Sequence, residues 1–145
     1  MTSSPALPIL QAALVDLIDL TLLAKQAHWN VHGPRFRSVH LELDEVEAEL
    51  REAQDLIAER MAAIGGNPDG RAVTVQATSK VADIGAGPVT DSDAVSQFAE
   101  RLDGLARRIE AQVGDLDVDP ASQDIAISTI QVLDKAAWMF RAQTA

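Results

Sequence analysis

Hydrophobic residues recur with the 3.6-residue period of an amphipathic α-helix in four long segments of the chain. No segment shows the alternation of apolar and polar residues that is typical of a half-buried strand. The first segment is predicted as a helix over residues 8–32 and the second over residues 38–64. Gly33-Pro34 and Gly65-Gly66 end them, because glycine suits the position after a helix and proline cannot continue one.

The rest of the chain contains a crossover and two further helices. Residues 67–89 are predicted as the crossover, with a turn at each end and a short helix over residues 75–84. Thr90 begins the third long helix in a capping box in which Asp93 replaces the usual Glu or Gln. Asp119-Pro120 begins the fourth, with aspartate as the N-cap and proline at the first helical position. The core stripe predicted for the fourth helix consists of Ile127, Ile130, Leu133, Ala137 and Phe140.

This order of elements predicts the fold class. Two long helices, a long crossover and two more long helices describe an all-α four-helix bundle with one long connection, the ferritin-like arrangement. A chain of 145 residues has the size of one domain, so we expect a single domain over residues 1–145. Residues 1–7 precede the first predicted helix and are expected to form a short flexible tail.

The composition restricts the metal chemistry that this chain could support. The sequence contains no cysteine and three histidines, so a metal ion would be bound by imidazoles and carboxylates. Di-iron sites inside one ferritin-like bundle use Glu-x-x-His pairs. The residues three positions before the histidines are Lys25, Trp29 and Arg37. The sequence therefore argues against a di-iron site within one bundle.

The second helix carries a stripe of possible metal ligands instead. His40 and Asp44 are four residues apart, as are Asp55 and Glu59, so each pair projects from one face. The 11 residues from Asp44 to Asp55 return to within about 20° of the same direction. The two pairs are separated by about 16 Å along the helix axis and cannot share a metal ion within one chain.

A second copy of the chain removes this obstacle. If the second helix packs antiparallel on its own copy across a two-fold axis, His40 and Asp44 of one chain face Asp55 and Glu59 of the other. The dimer would then contain two equivalent sites with imidazole and carboxylate ligands, which suit Fe(II).

Each candidate residue also has a simpler interpretation. A single Asp or Glu is most often a solvated surface charge. His28 extends an apolar stripe and could be a core histidine, and His32 fits the C-terminal end of a helix. Trp29 and Trp138 are typical of core or interface packing, although a role in handling oxidising equivalents is also open.

Acids near the start of the fourth helix have two interpretations as well. The helix dipole stabilises negative charge at this position, and a negative funnel for cations is the alternative. These acids are Asp115, Asp117, Asp119 and Asp124.

Residues 24–70 resemble the Dps family of mini-ferritins. The resemblance is carried by AKQAHWNVHGPRFRSVH followed by LELDEVEAELREAQDLIAERMAAIGGNPDG, and the ending LDKAAWMFRA and the bundle layout extend it over nearly the whole chain. Members of this family have a ferroxidase site between two-fold-related subunits. The resemblance implies that its ligands here are His28, His40 and Asp44 from one chain and Asp55 and Glu59 from the other.

The resemblance also implies a function. The protein would be a ferroxidase that oxidises Fe(II) to Fe(III), preferably with hydrogen peroxide rather than dioxygen, and stores ferric mineral in a hollow dodecamer built from two-fold dimers. It would thereby detoxify iron and protect against oxidative stress. By the same resemblance, Trp29 and Trp138 lie near the site. Asp119 and Asp124, with Asp117, would line a pore through which iron enters.

The charge distribution argues against direct DNA binding, although a nucleoid-associated protein that shields DNA physically is an alternative function. Lys and Arg number 12 against 22 Asp and Glu, so the net charge is −10. Phosphate binding is driven by basic residues. DNA-binding members of the family commonly use basic tails, but residues 1–8 contain no basic residue, nor does the stretch after Arg141. A bundle with an unrelated activity also stays open, because one fold hosts many functions.

We expect the protein in the cytoplasm, with no association with membranes. The N-terminal residues show neither the basic region nor the apolar region of a signal peptide. No run approaches 18 uninterrupted apolar residues, which argues against a membrane-spanning helix.

Overall fold

Four long helices form a bundle in the computed structural model, which describes residues 3–144. They are α1 (Ala6–Asn30), α2 (Phe36–Ala63), α4 (Asp91–Val113) and α5 (Pro120–Arg141). α1 packs along α2, and α4 packs along α5. A short helix, α3 (Ala72–Thr78), lies in the crossover between α2 and α4, and a single 3-10 turn (Gly114–Leu116) joins α4 to α5. The predicted four-helix bundle with a helix in its long connection is confirmed.

One continuous hydrophobic cluster joins all four long helices. Its largest side chains include Phe98 on α4 and Phe140 on α5, whose ring centroids are 6.0 Å apart. The prediction that Ile127 belongs to this core is wrong, because the side chain is 41% exposed. α5 instead buries the small residues Ala126 and Thr129 at this level, which rotates its packing face away from Ile127.

α1 begins and ends two residues earlier than predicted. It starts at Ala6, whose backbone N–H donates to Ser4 Oγ (3.2 Å). Pro8 fits inside the first turn, where backbone N–H groups have no helical partner. Residues 6 and 7 of the predicted tail therefore belong to the helix, whereas residues 1 and 2 lie outside the described part of the chain.

The helix ends at Asn30 because the next two residues are extended. Val31 and His32 form the two-residue strand β1 (Val31–His32), which pairs in parallel with β2 (Val89–Thr90). His32 is exposed on this strand, so its predicted place at the C-terminal end of a helix is wrong. The absence of any strand was also expected, and this short bridge corrects it.

Buried Asp91 holds the α1–α2 connection against the start of α4. Its carboxylate accepts hydrogen bonds from the backbone N–H of Arg35 (2.7 Å) and of Ser92 (2.8 Å). These hydrogen bonds lower the pKa of Asp91 below its ordinary value, and the bond from the Arg35 backbone has the largest effect. Gly33 lies directly against the carboxylate with φ +131°, so the connection needs a residue without a side chain there.

The crossover helix lies earlier in the chain than the predicted residues 75–84. Asp69 accepts hydrogen bonds from the backbone N–H of Arg71 (3.2 Å) and from Thr74 Oγ1 (2.8 Å), which stabilises a helix start at Ala72. The helix ends at Thr78, because the backbone of the next residue, Ser79, is extended. The next residue, Lys80, donates its backbone N–H to buried Asp16 of α1 (2.9 Å).

The predicted caps of α4 and α5 are present in the structure. Thr90 Oγ1 accepts from the backbone N–H of Asp93 (3.1 Å), which is the first half of the predicted capping box. Asp119 accepts from the backbone N–H (3.3 Å) and the hydroxyl (2.6 Å) of Ser122, and Pro120 occupies the first helical position.

α1 is long and apolar enough to cross a bilayer by length and composition alone. Asp16, Asp19 and Lys25 interrupt its apolar residues, and 56% of its most apolar stretch is buried inside the bundle. A buried core helix has the same length and composition, so the described residues contain no clear membrane-spanning helix.

Candidate metal centre

Two histidines from adjacent helices form the centre of the candidate site. His28 lies near the end of α1 and His40 lies one turn into α2, and both are half-buried. Their rings stack with centroids 3.7 Å apart and an interplanar angle of 10°. Phe36 extends the stack on the other side of His40, at a centroid distance of 4.9 Å.

Reciprocal hydrogen bonds fix the orientation of both rings. His28 Nδ1 donates to the backbone carbonyl of His40, and His40 Nδ1 donates to the backbone carbonyl of His28, each at 2.6 Å. A carbonyl oxygen is only an acceptor, so each Nδ1 carries the proton in these contacts. The lone pair of a neutral ring is then on Nε2, the atom that could bind a metal ion.

Asp44 lies one turn after His40 on α2 and is paired with Lys25 of α1. The hydrogen bond from the Lys25 ammonium lowers the pKa of Asp44, and the nearby His28 and His40 lower it further. The carboxylate is thus anionic at neutral pH and lies in the field of both imidazoles. His28, His40 and Asp44 together are named the histidine half-site.

Asp55 and Glu59 lie elsewhere on α2 and are exposed. They form the carboxylate half-site, which is separated from Asp44 by about 16 Å of helix. Among residues 3–144, no three His, Asp or Glu side chains gather closely enough to hold a metal ion. The chain therefore presents two incomplete sets of candidate ligands, one where α1 meets α2 and the other farther along α2.

The two tryptophans do not belong to the core. Trp29 is 69% exposed on α1 and Trp138 is 56% exposed on α5. Core packing was one interpretation of these residues and is wrong for this chain. Trp29 follows His28 directly in the sequence, and its side chain projects about 100° around α1 from that of His28.

The acids near the start of α5 have different surroundings. Asp119 is the N-cap of the helix, and Arg60 Nη2 donates to it (2.8 Å). The hydroxyl of Ser122 and the Arg60 guanidinium lower the pKa of Asp119. Asp117 and Asp124 are exposed. The structure thus assigns the Asp119 carboxylate to helix capping and an ion pair, while the other two carboxylates face solvent.

Sequence reasoning missed Lys25 as the partner of Asp44. Its signal is weak: Lys25 is three residues before His28 and so lies on the same side of α1. The carbonyl acceptors of the two histidines have no signal in the sequence, because they depend on how closely α1 and α2 approach each other.

Comparison with known proteins agrees with this architecture. Residues 8–145 match the model of the ferritin-like domain. A DNA protection during starvation protein of Agrobacterium fabrum is 35% identical over 96% of this chain and 87% of its own length. DNA protection during starvation protein 2 of Deinococcus radiodurans is 33% identical over 92% of this chain. The match covers 56% of the Deinococcus protein's length.

Solved structures show the same fold. A Dps protein from Deinococcus radiodurans superposes with a TM-score of 0.92 at 32% identity, covering 94% of this chain and 84% of that one. A Dps from Microbacterium arborescens in its high iron form gives a TM-score of 0.91 at 32% identity, covering 99% and 97%. The chain therefore belongs to the ferritin-like family and, within it, to the Dps proteins.

Proposed function

We propose that this protein is a ferroxidase that oxidises Fe(II) and stores the ferric product. Proteins of this family are generally ferroxidases, and one solved relative is described in a high iron form. The observation that carries the proposal is the pair of imidazoles whose Nδ1 atoms each donate a hydrogen bond to a backbone carbonyl. Among the described residues this arrangement leaves the Nε2 atoms of both stacked rings without a hydrogen-bond partner, and Asp44 follows His40 by one turn of α2. Imidazole with carboxylate suits Fe(II).

The complete site forms between two subunits in this proposal. His28, His40 and Asp44 of one chain and Asp55 and Glu59 of its partner surround the iron. The support is one stripe of α2 that carries His40 and Asp44 near one end and Asp55 and Glu59 farther along, because an antiparallel two-fold contact brings these two pairs together. The exposure of the carboxylate half-site in the single chain agrees with a surface that a second copy covers.

The reaction balances with hydrogen peroxide as the oxidant. Two Fe(II) ions each give one electron to one peroxide molecule, whose O–O bond breaks, and two waters complete the product as two FeO(OH) and four protons. The carboxylates offset the charge of the ions and the imidazoles hold them in place. Two-electron reduction of peroxide releases no hydroxyl radical, so consumption of Fe(II) and peroxide together would protect DNA chemically. Dioxygen is the slower oxidant in this proposal.

The proposed particle is a hollow dodecamer in the cytoplasm, assembled from two-fold dimers. Iron is its substrate and its stored mineral. Trp29 and Trp138 would lie near the inter-subunit site, and an acidic pore with Asp117, Asp119 and Asp124 would admit Fe(II). Because Arg60 already neutralises Asp119, the attraction for cations in this pore would come chiefly from Asp117 and Asp124.

The direct test is the rate of Fe(II) oxidation by peroxide in a variant that lacks half of the ligands. His40→Ala with Asp44→Ala should reduce the rapid phase at least about 100-fold, since the histidine half-site is lost. The control is His32→Ala with Glu45→Ala, which removes an exposed imidazole and an exposed carboxylate outside the ligand set. Rapid oxidation retained by the first variant would place the chemistry elsewhere.

Storage is tested on the same wild-type protein after addition of Fe(II) and then peroxide under argon. Twelve chains of 15.5 kDa make a particle of about 186 kDa, and iron should elute with it in size exclusion. Iron that precipitates while the protein elutes as a small bundle would contradict storage.

A further inference from the structure

We infer that Arg51 and Glu47 form a closed ring of four ionic side chains with their own copies on the two-fold axis, and that this ring positions the two inter-subunit sites. The inference rests on the proposed two-subunit site and names the contact that sets its register. Arg51 is a positioning residue in this account and does not touch iron.

The centre of the α2–α2 contact follows from the ligand positions. If His40 faces the partner's Glu59 and Asp44 faces the partner's Asp55, the two-fold axis passes between the two helices at the height of residues 49 and 50. Ala48 and Arg51 are the residues that lie nearest to this point within about 30° of the ligand stripe. The small side chain of Ala48 permits the helices to approach, and Arg51 extends across the contact.

Glu47 is the acid on the side of this contact that faces the bundle. It is only 6% exposed, yet it carries a carboxylate, and its partner in the structure is Arg51 one turn later. Both Arg51 Nε and Arg51 Nη2 donate to the same Glu47 oxygen, Oε1. Among the described residues Nη1 of Arg51 has no partner, and the Arg51 side chain is 65% exposed. The guanidinium can therefore receive a second carboxylate.

The second carboxylate is supplied by symmetry. Across the two-fold axis, Glu47 of the partner subunit lies on the same side of the contact as Arg51, about 1.5 Å from it in height along the helix. Each guanidinium then lies between its own Glu47 and that of the partner, so that acid and base alternate around the ring. A groove of about 570 Å³ connects Glu47 and Arg51 with Asp55 of the carboxylate half-site, which places the ring and the ligands on one surface.

The ring also opposes a slip of the two helices toward their N-terminal ends. If the centre of the contact moved one turn in that direction, Glu47 would lie at the height of Asp44 of the partner subunit, where like charges repel.

The test uses two charge variants that are complementary only between chains. Arg51→Glu has acids at both ring positions, and Glu47→Lys has bases at both, so each should dimerise at least about 10-fold more weakly than the wild type. Co-expressed with different tags, the two should form mixed dimers, because every attraction between them is then inter-subunit. Mixed dimers in excess of both homodimers are the expected result. If co-expression does not restore dimer formation, Arg51 pairs only with Glu47 of its own chain and the inference is wrong.

A milder variant covers failure of Glu47→Lys to fold. Arg51→Gln changes an exposed side chain and should keep the helix content by circular dichroism while weakening the dimer at least about 10-fold and slowing Fe(II) oxidation in proportion. Arg107→Gln is the matched control, since this exposed arginine of α4 also pairs with carboxylates, among them Glu110 at 2.5 Å. Unchanged dimer affinity in Arg51→Gln overturns the inference.

These results separate the ring from the proposed function. Loss of dimers in Arg51→Gln supports the ring whether or not the wild type oxidises iron. If rapid oxidation depends on His40 and Asp44 but Arg51→Gln leaves the dimer affinity unchanged, the proposed function is supported and the ring is contradicted.

Discussion

At the level of single residues, a substitution of Gly33 tests how the α1–α2 connection is held in place. A methyl group at this position would lie 2.7 Å from the Asp91 carboxylate, at a backbone φ of +131° that L side chains rarely adopt. Gly33→Ala should therefore lower the free energy of unfolding by about 2 kcal/mol. Urea denaturation followed by circular dichroism measures this.

Gly104 provides the opposite case with the same substitution. It lies inside α4, and a methyl group there would meet only the flexible end of Arg108 at 3.4 Å. Gly104→Ala should raise the free energy of unfolding by about 0.5–1 kcal/mol, because alanine loses less backbone entropy in a helix. If the two substitutions changed the free energy of unfolding in the same direction and by the same amount, the explanation from the local backbone and contacts of each glycine would be wrong.

The proposed ligands were predictable from the sequence to different degrees. Four of them, His40, Asp44, Asp55 and Glu59, follow from helical geometry on one element, since their spacing places them on one stripe. His28 is on another helix, and only the resemblance to the family assigned it. Its contact with His40 depends on the approach of α1 to α2, a tertiary distance that a one-dimensional pattern does not contain.

At the level of elements, the Asp119 cap links the stability of α5 to pH. Hydrogen bonds from Ser122 and the Arg60 ion pair lower the pKa of Asp119. A lowered pKa means that the stabilising contribution is present above the ordinary carboxyl value of 3.8 and is lost as the pH falls through the folded-state value. Asp119→Asn keeps a capping side chain but removes the charge.

Asp119→Asn should therefore be less stable than the wild type at pH 7, and the difference should shrink as the pH falls below the ordinary carboxyl pKa of 3.8 and through the lower pKa of Asp119 in the folded state. Thermal unfolding at a series of pH values measures it. Asp117→Asn is the matched control, because Asp117 is exposed. A difference that persists at low pH would show that the ion pair is not its source.

The long helices were predictable because their apolar stripes are long and their ends carry strong signals. Thr90 and Asp119 were identified as caps and act as caps in the structure. The crossover was less predictable, because the position of α3 is set by side-chain contacts such as that of Thr74 with Asp69. β1 could not be predicted from the local sequence, because its two residues pair with a segment 58 positions away.

At the level of the whole molecule, the net charge of the particle distinguishes two ways of protecting DNA, chemical protection by iron oxidation and physical shielding by binding. Twelve chains, each with a net charge of −10, would carry about −120, which opposes binding to a polyanion. We expect no retardation of plasmid DNA by the purified particle at physiological salt without divalent cations. Retardation in a gel-shift experiment under these conditions would favour the shielding hypothesis.

The division of the ligands between two chains is the central claim, and complementation tests it most directly. His40→Ala/Asp44→Ala and Asp55→Ala/Glu59→Ala chains should each be inactive in rapid Fe(II) oxidation by peroxide. In a mixed dimer of the two, one of the two sites regains every ligand. Random pairing of equal amounts should restore about a quarter of the wild-type sites. If the co-expressed chains assemble but stay inactive, the site does not lie between subunits.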